Sequence, residues 1–220
     1  MELTPVPRPL LLTATALSAG AALLLTACGA SKDEPENDDK IAGAQQNDKP
    51  SGEPTPESTN SVRRPDIKIP KSFEMSFVGW TSSDARTQAV LQDGKERVRS
   101  LHAAIMEGNP EASYVPFYSR GSGLLTGQQW IKGFVKKNLT LTGSARFYNP
   151  QASVRKDGSA QLDYCADQSK GYSKDLKTKK VNKEPASSDD YVLYKTKLEK
   201  DRQGVWQTTA VMTMEGSCKP

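Results

Sequence analysis

Histidine, cysteine and aromatic residues are scarce in this 220-residue chain, and each scarcity closes off a class of chemistry. One imidazole, His102, and three thiols are too few for a zinc-type ligand set, so no metal or other cofactor is expected. No Ser/His/Asp combination and no glycine-rich phosphate loop is present, which leaves no catalytic set to assign. Aromatic residues make up only 7%. The lysine-rich stretch from Lys170 to Lys183 has Tyr172 as its lone ring, whereas single-stranded nucleic acid is bound by stacking on several; no nucleic-acid partner is expected. Internal repeats are absent. So is an apolar run long enough to cross a bilayer: the longest, Leu10 to Leu25, holds about 16 residues against the roughly 20 required.

That short run is nevertheless the most informative stretch. It follows Arg8, consists largely of Leu, Ala, Thr and Gly, and closes on Leu25, Thr26, Ala27 and Cys28. A basic n-region, a short apolar core and a small-residue site make an export signal. The Leu-Thr-Ala-Cys tetrapeptide looks like a bacterial lipobox. It implies acylation of Cys28, removal of residues 1–27, and lipid anchoring on the extracytoplasmic face of the cell membrane. An ordinary secretory signal with a chance cysteine is the alternative.

Residues 28–65 read as a disordered acidic linker, with Ile41 the single large aliphatic between Gly29 and Asn60. Over positions 29–60 eight acids face three lysines, a net of −5; with residues 1–28 neutral and the chain at +4, residues 61–220 carry +9. As a flexible coil of about 34 residues the linker would reach roughly 30 Å from its anchor. With Cys28 assigned to lipid, Cys165 and Cys218 remain, and export permits oxidation, so a disulfide between them follows by elimination. Two free buried thiols are the other possibility.

The ordered domain is expected over residues 66–220. Phe73, Met75 and Phe77 alternate in an extended segment. Ser82, Ser83 and Asp84 offer a helix N-cap and Gly108, Asn109 and Pro110 a stop, with Ala89, Val90, Val98, Leu101 and Ile105 at helical spacing between them. A broken helical piece over 111–119 precedes a third helix over 127–138, capped by Thr126, that turns Trp130, Ile131, Phe134 and Val135 inward. From Thr142 the period becomes 2. Strands are expected around Pro150, where an edge or a bulge must lie, and after a two-residue turn at Asp157 and Gly158. A polar loop over 169–190 then leads to a closing pair, with Val192, Tyr194, Thr196 and Leu198 on one face and Trp206, Ala210, Met212 and Met214 on another. Helices first and strands last predict an α+β fold, with N-terminal helices packed on a curled antiparallel four-stranded sheet.

The capped helix over 83–108, the Asp157-Gly158 turn, the run Tyr164 to Ser169, the Gly204-Val205-Trp206 turn and the terminal Gly216-Ser217-Cys218 together resemble the nuclear-transport-factor-two-like, or cystatin-like cone, superfamily. More narrowly they are similar to actinobacterial lipoproteins of that fold, over about residues 75–220. The resemblance implies a cone-shaped domain. It leaves function open, because the superfamily contains isomerases, cyclases, dehydratases and non-catalytic binding modules.

Its enzymes often place an Asp, His or Tyr inside the cone. Here His102 flanks the apolar stripe of its helix. Trp130, Phe134, Tyr164, Tyr194 and Trp206 are the candidate pocket, and Asp163 falls on the other strand face from Tyr164. Asp167 and Ser169 read as turn caps at a strand end. Lys177, Lys179 and Lys180 are a candidate contact for an anionic surface, or simply solvated. The leading expectation is a membrane-tethered, non-catalytic module that binds a protein or cell-wall partner. A small-molecule binder using the cone is the alternative, and an isomerase- or cyclase-like enzyme the third reading.

Overall fold

A computed structural model describes residues 62–219. The leader, Cys28 and most of the acidic linker lie outside the described residues. The elements are β1 (Phe73–Phe77), α1 (Ala85–Glu107), α2 (Tyr114–Tyr118), α3 (Gly121–Lys136), β2 (Leu139–Val154), β3 (Ser159–Asp175), β4 (Val181–Asn182), β5 (Tyr191–Lys200) and β6 (Trp206–Met214). The fold is α+β, with helices packed on a curled sheet in the manner of the cone. The sheet is mixed and six-stranded, in order β1-β2-β3-β5-β6 with β4 on the far end of β3, rather than antiparallel and four-stranded. The extra strands are the short β4, antiparallel to β3, and β1, which pairs in parallel with β2 from Phe73 opposite Gly143 to Phe77 opposite Phe147. All three helices lie between β1 and β2 in sequence, and such a crossover brings the chain back in the same direction.

Helix α1 begins and ends where its residues require. The Asp84 carboxylate accepts the Thr87 amide at 2.8 Å, and Gly108 closes the helix at φ 66°. Val90, Val98, Leu101 and Ile105 are buried, as their spacing predicts; Ala89 is only half-buried, and Leu91 is buried in addition. Asp93, Gly94 and Arg97 are buried with them. Gly94 is there for space: a Cβ would overlap Leu162 of β3.

Helix α3 starts at Gly121, six residues before the expected Gly127. A Cβ at Gly123 would strike the Thr208 carbonyl of β6, so the glycine lets the first turn lie against that strand. Thr126, inside the helix, donates to the Ser122 carbonyl at 2.9 Å rather than capping. Ile131 is fully buried, but Trp130 and Val135, expected to face inward, are 38% and 40% exposed.

The strands depart from simple alternation at bulges. Strand β2 is continuous through Pro150, with a register shift between Tyr148 and Gln151 and Asn149 at φ 51°. Pro150 lies beyond the reach of β1, so β2 is there an edge as well as bulged. Both hairpins use three-residue loops. Asp157 Oδ1 accepts the Ser159 amide and Asp201 Oδ1 the Val205 amide, with Gly158 and Gly204 left-handed. Strand β3 runs on through the expected loop to Asp175, paired with β2 as far as Leu139. Its polar residues 169–175 extend past the core, where ladder bonds rather than apolar burial hold them.

The bulge with the largest effect lies in β6. Leu198 pairs with Thr208 and Lys197 with Ala210, so Thr209 is the extra residue. Trp206 and Thr208 point inward before it; after it Val211 and Thr213 border the interior, while Met212 and Met214 are thrown outward at 61% and 42% exposed. The expected single face for Trp206, Ala210, Met212 and Met214 is corrected by that one residue.

Cys165 and Cys218 form the disulfide, with Cα atoms 5.9 Å apart and 53 residues between them in sequence. Cys165 follows the inward Tyr164 and therefore lies on the opposite sheet face. The tail crosses β5 to reach it, anchored by the Cys218 amide on the Tyr191 carbonyl at 3.1 Å. A smaller cluster of Ile67, Ala103, Tyr118 and Val205 holds the segment ahead of β1 against α1.

Candidate functional site

The concave face of the sheet and helices α1 and α3 leave a cavity of about 340 Å³, open at one end. Of the five expected pocket residues, Trp130, Tyr164 and Tyr194 border it. Phe134 and Trp206 do not. Phe134 packs edge-on to Trp130 with 5.8 Å between centroids. Trp206 is 2% exposed at the other end of the cone, because it precedes the bulge that turns β6 over.

Arg97 and His102, both on α1, supply the polar character of the cavity together with Tyr164, Tyr194 and Gln168. The two tyrosines occupy opposed positions on β3 and β5 and stack with rings 2° from parallel and centroids 5.0 Å apart. Gln168 Nε2 donates to the Tyr194 hydroxyl at 3.0 Å, which leaves that hydroxyl's own proton free to be given. Burial pushes both tyrosine pKa values up, with the Arg97 charge opposing, so both remain neutral donors.

His102 sits in an aromatic cage. It stacks on Phe73 at 5.5 Å and meets Trp130 and Phe147 edge-on at 5.2 and 5.7 Å. Nδ1 lies 2.8 Å from the Val98 carbonyl, an acceptor, so the proton is assigned to Nδ1 and Nε2 carries the lone pair. Desolvation, with the nearby Arg97 charge, lowers its pKa from 6.5 to about 4. At neutral pH it is an uncharged acceptor.

Arg97 is 4% exposed and its Nε has no hydrogen-bond partner. One turn earlier Asp93, fully buried, is bound by Arg64 at 2.9 and 3.1 Å and by the Trp206 amide at 2.9 Å. Glu215 is the one carboxylate bordering the cavity, and it is exposed at the mouth. Arg97 escapes a reading based on apolar periodicity, which does place His102 on the flank of the stripe. Their signal is the i, i+4 placement of Arg97 beside Leu101 and of His102 beside Val98, on the rims of the buried stripe.

The remaining expected residues lie elsewhere. Asp163 is on the outer sheet face near Lys195 and Arg155. Asp167 and Ser169 belong to a bulge inside β3 rather than to a strand end. There Asp167 Oδ1 accepts from the Ser169 amide at 3.1 Å and hydroxyl at 2.7 Å, the capping role expected of them. Lys177, Lys179 and Lys180 are exposed on the tight turn between β3 and β4. Asp175 Oδ1 accepts two amides of that turn, and Lys179 Nζ donates to the Leu176 carbonyl at 2.6 Å.

No family model matches the sequence, and no curated protein is similar to it. Solved structures are similar at low identity. ActVI-ORFA from Streptomyces coelicolor is 12% identical over 60% of this chain and 96% of its own, with a TM-score of 0.38. A provisionally named ketosteroid isomerase from Shewanella frigidimarina is 15% identical over 63% of this chain and 100% of its own, at 0.32. A provisionally named scytalone dehydratase from Novosphingobium aromaticivorans is 11% identical over 59% and 89%, at 0.40. The reading of the site therefore rests on its own geometry.

Proposed function

We propose that this protein is a lipid-anchored extracytoplasmic module whose cone binds a small molecule. The observation that carries the reading is the open cavity of about 340 Å³, which has apolar walls and a few convergent polar groups. Its size lies at the small end of the range for ligand pockets. The polar groups inside are neutral donors and acceptors plus one guanidinium, an arrangement suited to holding a molecule. Chemistry by a buried carboxylate is not favoured, because the bordering carboxylate is solvated. The lipobox sequence supports the anchor, and the acidic linker suits a tether.

The test uses indole, a neutral probe of suitable size, followed by saturation-transfer NMR with the full chain in detergent. Indole should bind, and Val211→Trp, which fills the cavity from β6, should abolish the signal without unfolding the protein. Equal binding by the filled variant would place the probe elsewhere and sink the reading. The anchor is tested separately: Cys28→Ser should release the chain from membranes or leave it unprocessed, and unchanged retention would refute acylation.

A further inference from the structure

A buried guanidinium with no counter-ion is the least explained group in the molecule. Arginine resists deprotonation even when desolvation pulls its pKa down, so Arg97 stays charged. Among the described residues it forms no ion pair; its Nε has no partner, and the neighbour of the guanidinium is the neutral Tyr164 hydroxyl. The carboxylate one turn away cannot serve it, since Asp93 already accepts from Arg64 and the Trp206 amide. Glu215 at the mouth is solvated and forms no bridge to it. Breaking a buried ion pair is strongly destabilising because the remaining charge is uncompensated; Arg97 is a buried charge without a counter-ion, at the wall of a cavity.

We infer that Arg97 is an anion anchor and that the cone takes a small monocarboxylate with an apolar, ring-sized body. This rests on the reading of the cone as a small-molecule site. One guanidinium presents a planar fork that matches one carboxylate. A phosphate dianion would call for further cations, and none borders the cavity, the neutral His102 included. The Tyr194 hydroxyl, free to donate, is a second partner for the same head. Trp130, Phe147, Val98, Leu101 and Val192 offer the body an apolar wall.

Four probes share one ring and differ in charge: indole, indole-3-acetate, its neutral isostere indole-3-acetamide, and the cation tryptamine. Dissociation constants would be measured by titration of the full chain in detergent. Indole-3-acetate should bind at least tenfold more tightly than indole-3-acetamide, with tryptamine weakest. Arg97→Met should erase that preference while the acetamide binds as before, and Arg97→Lys should keep part of it. Equal affinity for acetate and acetamide in the unsubstituted protein would overturn the anion anchor and leave the pocket standing, since indole would still bind. Failure of all four would remove both. Should Arg97→Met not fold, the ranking of the probes on the unsubstituted chain decides the matter alone.

Discussion

Asp93 and Arg97 are both buried, both charged and one turn apart on α1, yet the two ends of the cone treat them in opposite ways. At the closed end Asp93 has three donors: two nitrogens of Arg64 and the amide of Trp206. They tie the segment ahead of β1, the helix and the start of β6 into one knot. At the open end Arg97 faces stacked tyrosines and empty volume. The helix spacing would let the two residues bridge each other. Instead Arg64, from 29 residues upstream, takes the carboxylate. Buried charge here serves two purposes. One residue is consumed by the fold, and the other is left for whatever enters the cone.

The largest expected effect breaks this contrast at its closed end. Asp93→Ala releases Arg64, which is 38% exposed and can turn to water, but it removes charge-assisted hydrogen bonds and strands the buried Trp206 amide, which together cost about 3–5 kcal/mol. Arg97→Met, a replacement of similar volume, removes a charge that has no partner, and should leave stability within about 1 kcal/mol or raise it. Urea denaturation of both variants measures the difference. If Arg97→Met proves as costly as Asp93→Ala, the open end is structural too and the contrast fails.

A smaller effect comes from His102 in the same cage. Its folded pKa of about 4 lies below the ordinary 6.5, so between those values the unfolded chain binds a proton that the native state refuses. Its contribution is fully present above about pH 6.5 and is lost as pH falls toward 4. A shift of this size corresponds to about 3 kcal/mol. As the single histidine of the chain, it gives one imidazole signal by NMR, whose midpoint should fall near pH 4. His102→Gln should flatten the dependence of stability on pH between 4 and 6.5. A midpoint near 6.5 would mean that the ring is solvated and the cage open.

What the residues announce in advance, and what they conceal, divides along similar lines. The caps of α1, the glycines of the two hairpins and the pairing of Cys165 with Cys218 follow from local chemistry and compartment, and all are present. The parallel β1 was hidden because a crossover leaves no local mark on the strand it creates. The polar stretch 169–175 reads as a loop because ladder bonds, unlike apolar faces, have no period. The bulge at Thr209 is silent in sequence, and it decides which residues of β6 reach the cavity: Trp206 was expected there and is absent, while Val211 and Thr213 arrive in its place. Arg97 was concealed for another reason. A charged or titratable residue beside an apolar stripe is ordinarily solvated, and here the sheet curls over it.

Gly94 lies between the two charges and sets how closely both approach the sheet. A Cβ at this position would lie 2.3 Å from Leu162, which is 1% exposed, and Trp80 is the next neighbour. Gly94→Ala would gain about 1 kcal/mol of helix propensity. It would also force a methyl group into Leu162, and overpacking a filled core costs about 1–3 kcal/mol. The net is a loss of roughly 1 kcal/mol, the smallest of the three effects. Its value lies in how that loss divides. If α1 lifts as a rigid rod, the Trp206 amide is drawn from Asp93 while Arg97 recedes from Tyr164. Hydrogen exchange at the Trp206 amide should then quicken at the closed end, and the preference for indole-3-acetate should weaken in the same variant. If Leu162 alone yields, stability falls with neither change, and the spacing of the two ends is held by something other than this glycine.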